Sequence, residues 1–460
     1  MSVRLRLVAS PVLAGALLLT GCVSTNTYEI PLMPAPEYVD GETFNPFRNS
    51  AVLPPDGKPE VLYATLRLPA TSTDSDRYYT SKRAEIIRLG EAHIEASENT
   101  SWDQLRDIAL LRGNESKFTL RLGDVDEFGA LAGTRLDLDD DEAVRAADAE
   151  ATARFTAAVN AQLARREVKD IVVYAHGYRV NFENPLLVAA ELWHFTGYEG
   201  VFIPFAWPAR EGRLAYFGDV ESARYSARAF REFLTYLARE TDARRIHVIG
   251  YSAGTRMVLT TMHELALQGG PLPDGDLQSR LRLGNVILVG SDVDLGLVGN
   301  YLKDGMVNVA ERFTFYESPQ DAALRMARFV TGQPRAGQLL DLAGAPEVAA
   351  FIAAFPSLAV VDVQSAPFFD SGNGHSYFKD SPRVSSDLLA TLRYGLSPEE
   401  RGLVRGPGGI GWEFPPDYID RLRAAVAARQ GAAAAATSNA AVPPRPAAPS
   451  PAARPPVAGE

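Results

Sequence analysis

From residue 170 onward the chain alternates two hydrophobic periods. Short, almost wholly apolar runs occupy 170–174, 201–206, 246–249, 285–289, 312–316 and 358–363. Between them apolar residues recur every three or four positions, which predicts helices over 186–195, 222–238, 321–329 and 384–394 and others opening at 255 and 297. Strand and helix in alternation require right-handed crossovers between parallel strands. Strands that lack a polar side need cover on both faces. The expected fold class is therefore α/β, a mostly parallel sheet covered by helices on both faces, with functional groups gathered at the carboxyl ends of the strands. Upstream, strand-like segments over 60–68, 86–95 and 117–122 are expected to be leading strands packed on the main sheet, and 141–166 reads as a long Ala-rich helix. No internal repeat is evident.

The two ends of the chain follow other patterns. Arg4 and Arg6, an apolar stretch from Val8 to Leu19, and Leu19-Thr20-Gly21-Cys22 have the layout of an export signal. A dozen apolar residues are too few to span a bilayer. The segment resembles a bacterial lipobox, which implies cleavage of residues 1–21 and lipidation of Cys22; Ser24 in place of Asp leans the sorting toward the outer membrane, facing the periplasm. Residues 22–58, with Pro31, Pro34, Pro36, Pro46, Pro54 and Pro55, are expected to form an extended tether from that anchor. The folded body is assigned to 59–430, and the Ala/Pro-rich tail 431–460, with seven prolines after residue 442, is expected to be disordered.

Charge and cysteine content narrow the partners. The formal net charge of −11 becomes −13 once residues 1–21, which hold two arginines and no acid, are removed. That balance argues against nucleic acid as a partner and against electrostatic adhesion to anionic lipid, leaving the lipid anchor as the membrane contact. Cys22 is the single cysteine, so no intramolecular disulfide can form and stability has to come from packing.

The chemistry centres on Gly250-Tyr251-Ser252-Ala253-Gly254, which lies between the apolar run 246–249 and the helical pattern opening at 255. This is the layout of a nucleophile elbow, a sharp strand-to-helix turn that presents one serine hydroxyl. Flanking glycines let strand and helix close on each other. Ser252 is the expected nucleophile. With such an elbow the triad follows in the order nucleophile, acid, histidine, and of the six histidines only His263 and His375 come after Ser252. His263 lies two turns into the helix behind the serine. His375, in Ser371-Gly372-Asn373-Gly374-His375-Ser376-Tyr377 after the last strand, is the expected general base.

Two strand ends offer the acid. Asp321 follows the second strand after the nucleophile, the usual acid position in this fold, and is preferred; Asp292 is the alternative, beside Asp294, with Asp362 a more distant choice. Each could equally cap a helix. The oxyanion donors are expected to be the backbone N–H groups of Ala253 and of Tyr178, in the His176-Gly177-Tyr178 turn after strand 170–174. His176 is read as an orienting group, and His93, His194 and His247 as structural. No metal-ligand spacing appears, and no cofactor is expected.

Taken together, residues 60–395 resemble a bacterial alpha/beta hydrolase family of unknown function, often described as lipoproteins. The resemblance is carried by Val61-Leu62-Tyr63-Ala64-Thr65, Ala175-His176-Gly177-Tyr178, Phe205-Ala206-Trp207-Pro208 and the Ser252 pentapeptide, together with Tyr316-Glu317-Ser318, Asp321-Ala322-Ala323-Leu324 and Gly374-His375-Ser376-Tyr377. Tyr251 and Ala253 stand where the family usually has His and Met around the serine. The resemblance implies the alpha/beta-hydrolase fold and a serine hydrolase, esterase-like activity on a small acyl substrate that it does not identify. The rival expectation is a non-catalytic envelope scaffold that keeps the fold while binding a partner, and acyl transfer is a third.

Overall fold

The apolar runs become the middle strands of one sheet. A computed structural model describes residues 28–40, 44–48, 59–96, 100–110, 118–135, 141–210, 216–270, 275–342, 346–366 and 374–440. Among these the strands are β1 (Glu29–Pro31), β2 (Glu60–Pro69), β3 (Tyr79–Ala96), β4 (Thr119–Ala130), β5 (Asp170–Ala175), β6 (Val201–Ala206), β7 (Arg245–Tyr251), β8 (Leu283–Val289), β9 (Arg312–Glu317), β10 (Leu358–Asp362), β11 (Val404–Arg405) and β12 (Trp412–Glu413). They lie side by side in the order β1-β4-β3-β2-β6-β5-β7-β8-β9-β10-β12-β11. Neighbours from β2 through β6 to β12 are parallel. The leading strands β1 to β4 pair antiparallel, and so do β11 and β12.

The covering helices include α1 (Glu142–Ala164), α2 (Glu183–Phe195), α3 (Tyr216–Glu240), α4 (Gly254–Gly269), α5 (Leu295–Lys303), α6 (Ala322–Thr331), α7 (Pro382–Tyr394) and α8 (Tyr418–Ala440). Because side chains alternate along a strand, an all-apolar strand feeds two cores. Ile171, Val173 and Ala175 of β5 meet α1, α3 and α4 through Phe155, Phe230 and Met257. Val172 and Tyr174 point to the other face, where Leu186 of α2, Leu388 of α7 and Tyr418 of α8 lie. Each such large side chain contributes roughly 1.5–3 kcal/mol by leaving water. Both cores are needed to hold β5, β7 and β8 between them.

Two expectations about the ends need correction. The Pro-rich stretch does not hang free where it is described: β1 pairs with β4, and Ile30, Leu32, Met33, Tyr38, Val39, Phe44 and Phe47 are buried. Closely spaced prolines disfavour a long α-helix there without preventing packing, so the apolar residues between them clamp onto the sheet edge and α2. At the other end, the segment after 430 continues α8 as far as Ala440, since its run of alanines favours helix over coil. The signal segment, Cys22 and residues 441–460 lie outside the described residues. Among the described residues no helix is long and apolar enough to cross a membrane.

Candidate active site

β7 ends at Tyr251 and α4 begins at Gly254, leaving two residues to turn the chain. Ser252 takes φ +51°, a left-handed conformation that is uncommon for a residue with a side chain and costs of order 1–3 kcal/mol. The surroundings hold it there. The Ser252 N–H donates to the Val289 carbonyl (2.9 Å), and its own carbonyl accepts from the Thr255 N–H (3.0 Å) and hydroxyl (2.6 Å). The turn also needs glycine for space, since a Cβ on Gly254 would come within 2.6 Å of the Ala175 carbonyl oxygen. On the other side, a Cβ on Gly177 would meet the Ser252 Cβ at 3.2 Å, so the loop after β5 passes directly beside the serine.

The serine hydroxyl faces an imidazole delivered from far along the chain. Ser252 Oγ lies 2.8 Å from His375 Nε2, and His375 Nδ1 lies 2.6 Å from Asp321 Oδ2. All three side chains are buried. Burial pushes the imidazole toward neutrality, but the charge and hydrogen bond of Asp321, aided by the charge of Asp292, outweigh it and hold His375 above the ordinary histidine range. Asp321 has two tasks. Its Oδ2 meets His375 while its Oδ1 accepts from the Leu324 N–H (3.0 Å) as the cap of α6. The cap fixes the carboxylate, and the carboxylate fixes the ring.

A family model described as "Alpha/beta hydrolase of unknown function (DUF900)" matches residues 151–393. The chain belongs to this family. Ser252, Asp321 and His375 all fall inside the matched span, whereas the leading strands and α8 fall outside it. Among curated proteins none matches the chain.

In this DUF900 protein Asp292 does not reach His375. It accepts hydrogen bonds from Arg256 Nε (3.1 Å) and from the Tyr216 hydroxyl (2.9 Å), with Arg335 Nε at 3.9 Å. Asp294 caps α5 through the Leu297 N–H, and Asp362 accepts from the Gln364 N–H just past β10. His263 is likewise elsewhere, stacked on Tyr301 at 4.1 Å and 2.8 Å from Asp304. His247 accepts from the Asn285 N–H at the amino end of the sheet, and His194 meets the Tyr198 hydroxyl.

The loop after β5 is pinned from below. His176 is buried and stacked on the indole of Trp207 at 4.9 Å and 7°, and the Trp207 Nε1–H donates to the His176 carbonyl (2.7 Å). Burial, then the charge of Arg67, drive this imidazole down to about 3, so it stays neutral. Trp207 is thus a core residue. Arg67, buried in β2, donates from Nε to the Trp207 carbonyl (3.1 Å) and from Nη2 to the Val180 carbonyl (2.9 Å), tying both loops together. Nothing in the sequence marked Arg67, because a lone arginine in a strand reads as an exposed one. Tyr178 lies on this pinned loop with its ring edge-on to Tyr216 at 5.8 Å, and Ala253 is the cap residue immediately ahead of α4.

Among the described residues no group of three or more His, Cys, Asp or Glu side chains is placed to hold a metal ion. The arrangement can move a proton from a serine hydroxyl to an imidazole and steady the resulting cation with a carboxylate.

Proposed function

We propose that this protein is a serine hydrolase that cleaves an ester or related acyl bond through an acyl-enzyme, held in the cell envelope by a lipid on Cys22. The observation that carries the reading is the continuous line of short contacts from Ser252 Oγ through His375 to Asp321. In the first half-reaction His375 Nε2 takes the serine proton as Oγ attacks the acyl carbon, and the carbonyl oxygen becomes an oxyanion facing the backbone N–H groups of Ala253 and Tyr178. The imidazolium then returns the proton to the leaving group, whose bond to the acyl carbon breaks. In the second half a water gives its proton to His375, its oxygen attacks the ester on Ser252, and the acid departs as the proton goes back to Oγ. Asp321 keeps the imidazole in the tautomer that has Nε2 free to accept, and it steadies the cation in both halves. Membership of an alpha/beta hydrolase family supports the general class. Envelope location rests on the lipobox-like Leu19-Thr20-Gly21-Cys22 alone.

A fluorophosphonate probe tests the chemistry directly. The native protein should be modified on Ser252, and Ser252→Ala should not react. A folded native protein that stays unmodified would instead make it a binding protein on a hydrolase scaffold. Loss of membrane association on Cys22→Ser tests the anchor.

A further inference from the structure

Two residues beyond His375 stands a tyrosine whose hydroxyl ends between two strands. Tyr377 is fully buried; its hydroxyl donates to the Tyr316 carbonyl (2.7 Å) and accepts from the Gly290 N–H (2.7 Å). Tyr316 lies near the carboxyl end of β9, the strand that leads to Asp321, and Gly290 is the first residue past β8. Burial, then the neighbouring charge of Asp321, keep this hydroxyl protonated far beyond the ordinary tyrosine range, so it always has a proton to donate.

The sheet does not depend on the phenol. The Gly290 N–H also reaches the Tyr316 carbonyl directly, at 3.2 Å, so the two strand ends would stay bonded if the hydroxyl were removed. What the hydroxyl adds is an attachment for its own segment, and that segment carries His375. Gly290, the backbone unit the phenol holds, also underlies the imidazole: a Cβ there would stand 3.0 Å from His375 Cε1 and 3.2 Å from Nδ1. The ring of Tyr251 lies 5.2 Å from the imidazole, and its hydroxyl is 3.2 Å from Ser376 Oγ.

We infer that Tyr377 is a positioning residue whose hydroxyl anchors the histidine segment to the ends of β8 and β9, setting the imidazole at hydrogen-bond distance from Ser252 and Asp321 together. This rests on the triad reading above. Aligned donors and acceptors matter steeply here, since a displacement of about 1 Å can cost about 100-fold in rate.

The test compares native protein, Tyr377→Phe and Ser252→Ala in their second-order rates of fluorophosphonate modification across pH, each measured well below its own unfolding temperature. Tyr377→Phe should fold, because the strand ends satisfy each other, and should react on Ser252 about 100-fold more slowly. Its acidic limb should move down toward the ordinary histidine value as the Asp321 bond loosens, and the far-downfield proton resonance of the His375–Asp321 bond should broaden or vanish. A lower unfolding temperature with unchanged rate, limb and resonance would overturn the inference, leaving the triad intact. A folded native protein that does not react would overturn both. In the native protein alone, His375 should give one rigid imidazole signal by NMR; exchange between rotamers there would overturn the inference without recourse to any variant.

Discussion

At the scale of single residues, the two carboxylates that compete for the acid role in the sequence are separated by what surrounds them. Asp321 faces the His375 imidazole, which bears a transient positive charge in the proposed mechanism, whereas Asp292 neutralises Arg256 beside Arg335. Asp321→Asn should therefore slow modification of Ser252 by about 10⁴-fold, because the amide no longer stabilises the imidazolium or enforces its tautomer. Asp292→Asn should leave the serine reactive and instead lower stability in urea titration, by less than the about 3–5 kcal/mol of a fully buried pair, since the half-buried Arg256 and the buried Arg335 lose their counter-charge. The pH dependence has a definite sign. In the proposed mechanism His375 must be neutral to accept the serine proton, and Asp321, overcoming burial, raises its pKa, so reactivity should fall on acidification at a pH above the ordinary histidine value of about 6.5. The same shift favours the protonated form in the folded state. Its contribution to stability is complete below about 6.5 and is lost as pH rises through the folded-state value.

At the scale of elements, the N-terminal segment is fastened to α2 by one unusual contact. The Met33 N–H donates to Glu191 Oε2 (3.0 Å), and Glu191 is fully buried. Burial raises its carboxyl to about 7, against the opposing charge of Lys379 and the Met33 hydrogen bond. Between roughly pH 4.5 and 7 the folded protein therefore holds a proton that the unfolded chain has released. Stability should fall as pH rises across that window. Glu191→Gln keeps an oxygen for Met33 and cannot ionise, so its unfolding temperature should change less between pH 5 and 8 than that of the native protein. Equal slopes in the two thermal series would mean that the Met33 contact is indifferent to this carboxyl.

Across the whole molecule, the C-terminal segment is locked to the sheet by a buried charge pair. Arg401 donates to Asp387 of α7 from Nε (2.5 Å) and Nη2 (3.0 Å), and the hydroxyls of Tyr316 and Tyr418 each donate to the same carboxylate at 2.6 Å. All four side chains are buried. Arg401 and Tyr418 lie beyond the family match, yet they hold α7 and α8 against β9, whose end leads to Asp321. Arg401→Met strands the carboxylate without its counter-charge. It should lower unfolding stability by about 3–5 kcal/mol in a urea titration. Arg401→Met together with Asp387→Leu should regain much of the loss, because no uncompensated charge remains.

The run of apolar strands and periodic helices determined the α/β class and the central strands almost to the residue, because burial on both faces leaves no other pattern for β5, β7, β8 and β9. The elbow around Ser252 was equally legible, as close approach of strand and helix there demands glycine at 254, and His375 followed from chain order. Local sequence could not separate Asp321 from Asp292, since both follow a strand and both suit a helix start; only the folded chain shows that Asp321 is the one that meets His375. The packing of residues 29–48 was hidden for a related reason: prolines declare what a segment cannot become, and its partners, β4 and α2, lie far away in the chain. Arg67, Tyr377 and the Asp387 cluster were silent as well. Their roles arise from carbonyls and carboxylates that only the folded sheet brings within hydrogen-bond reach.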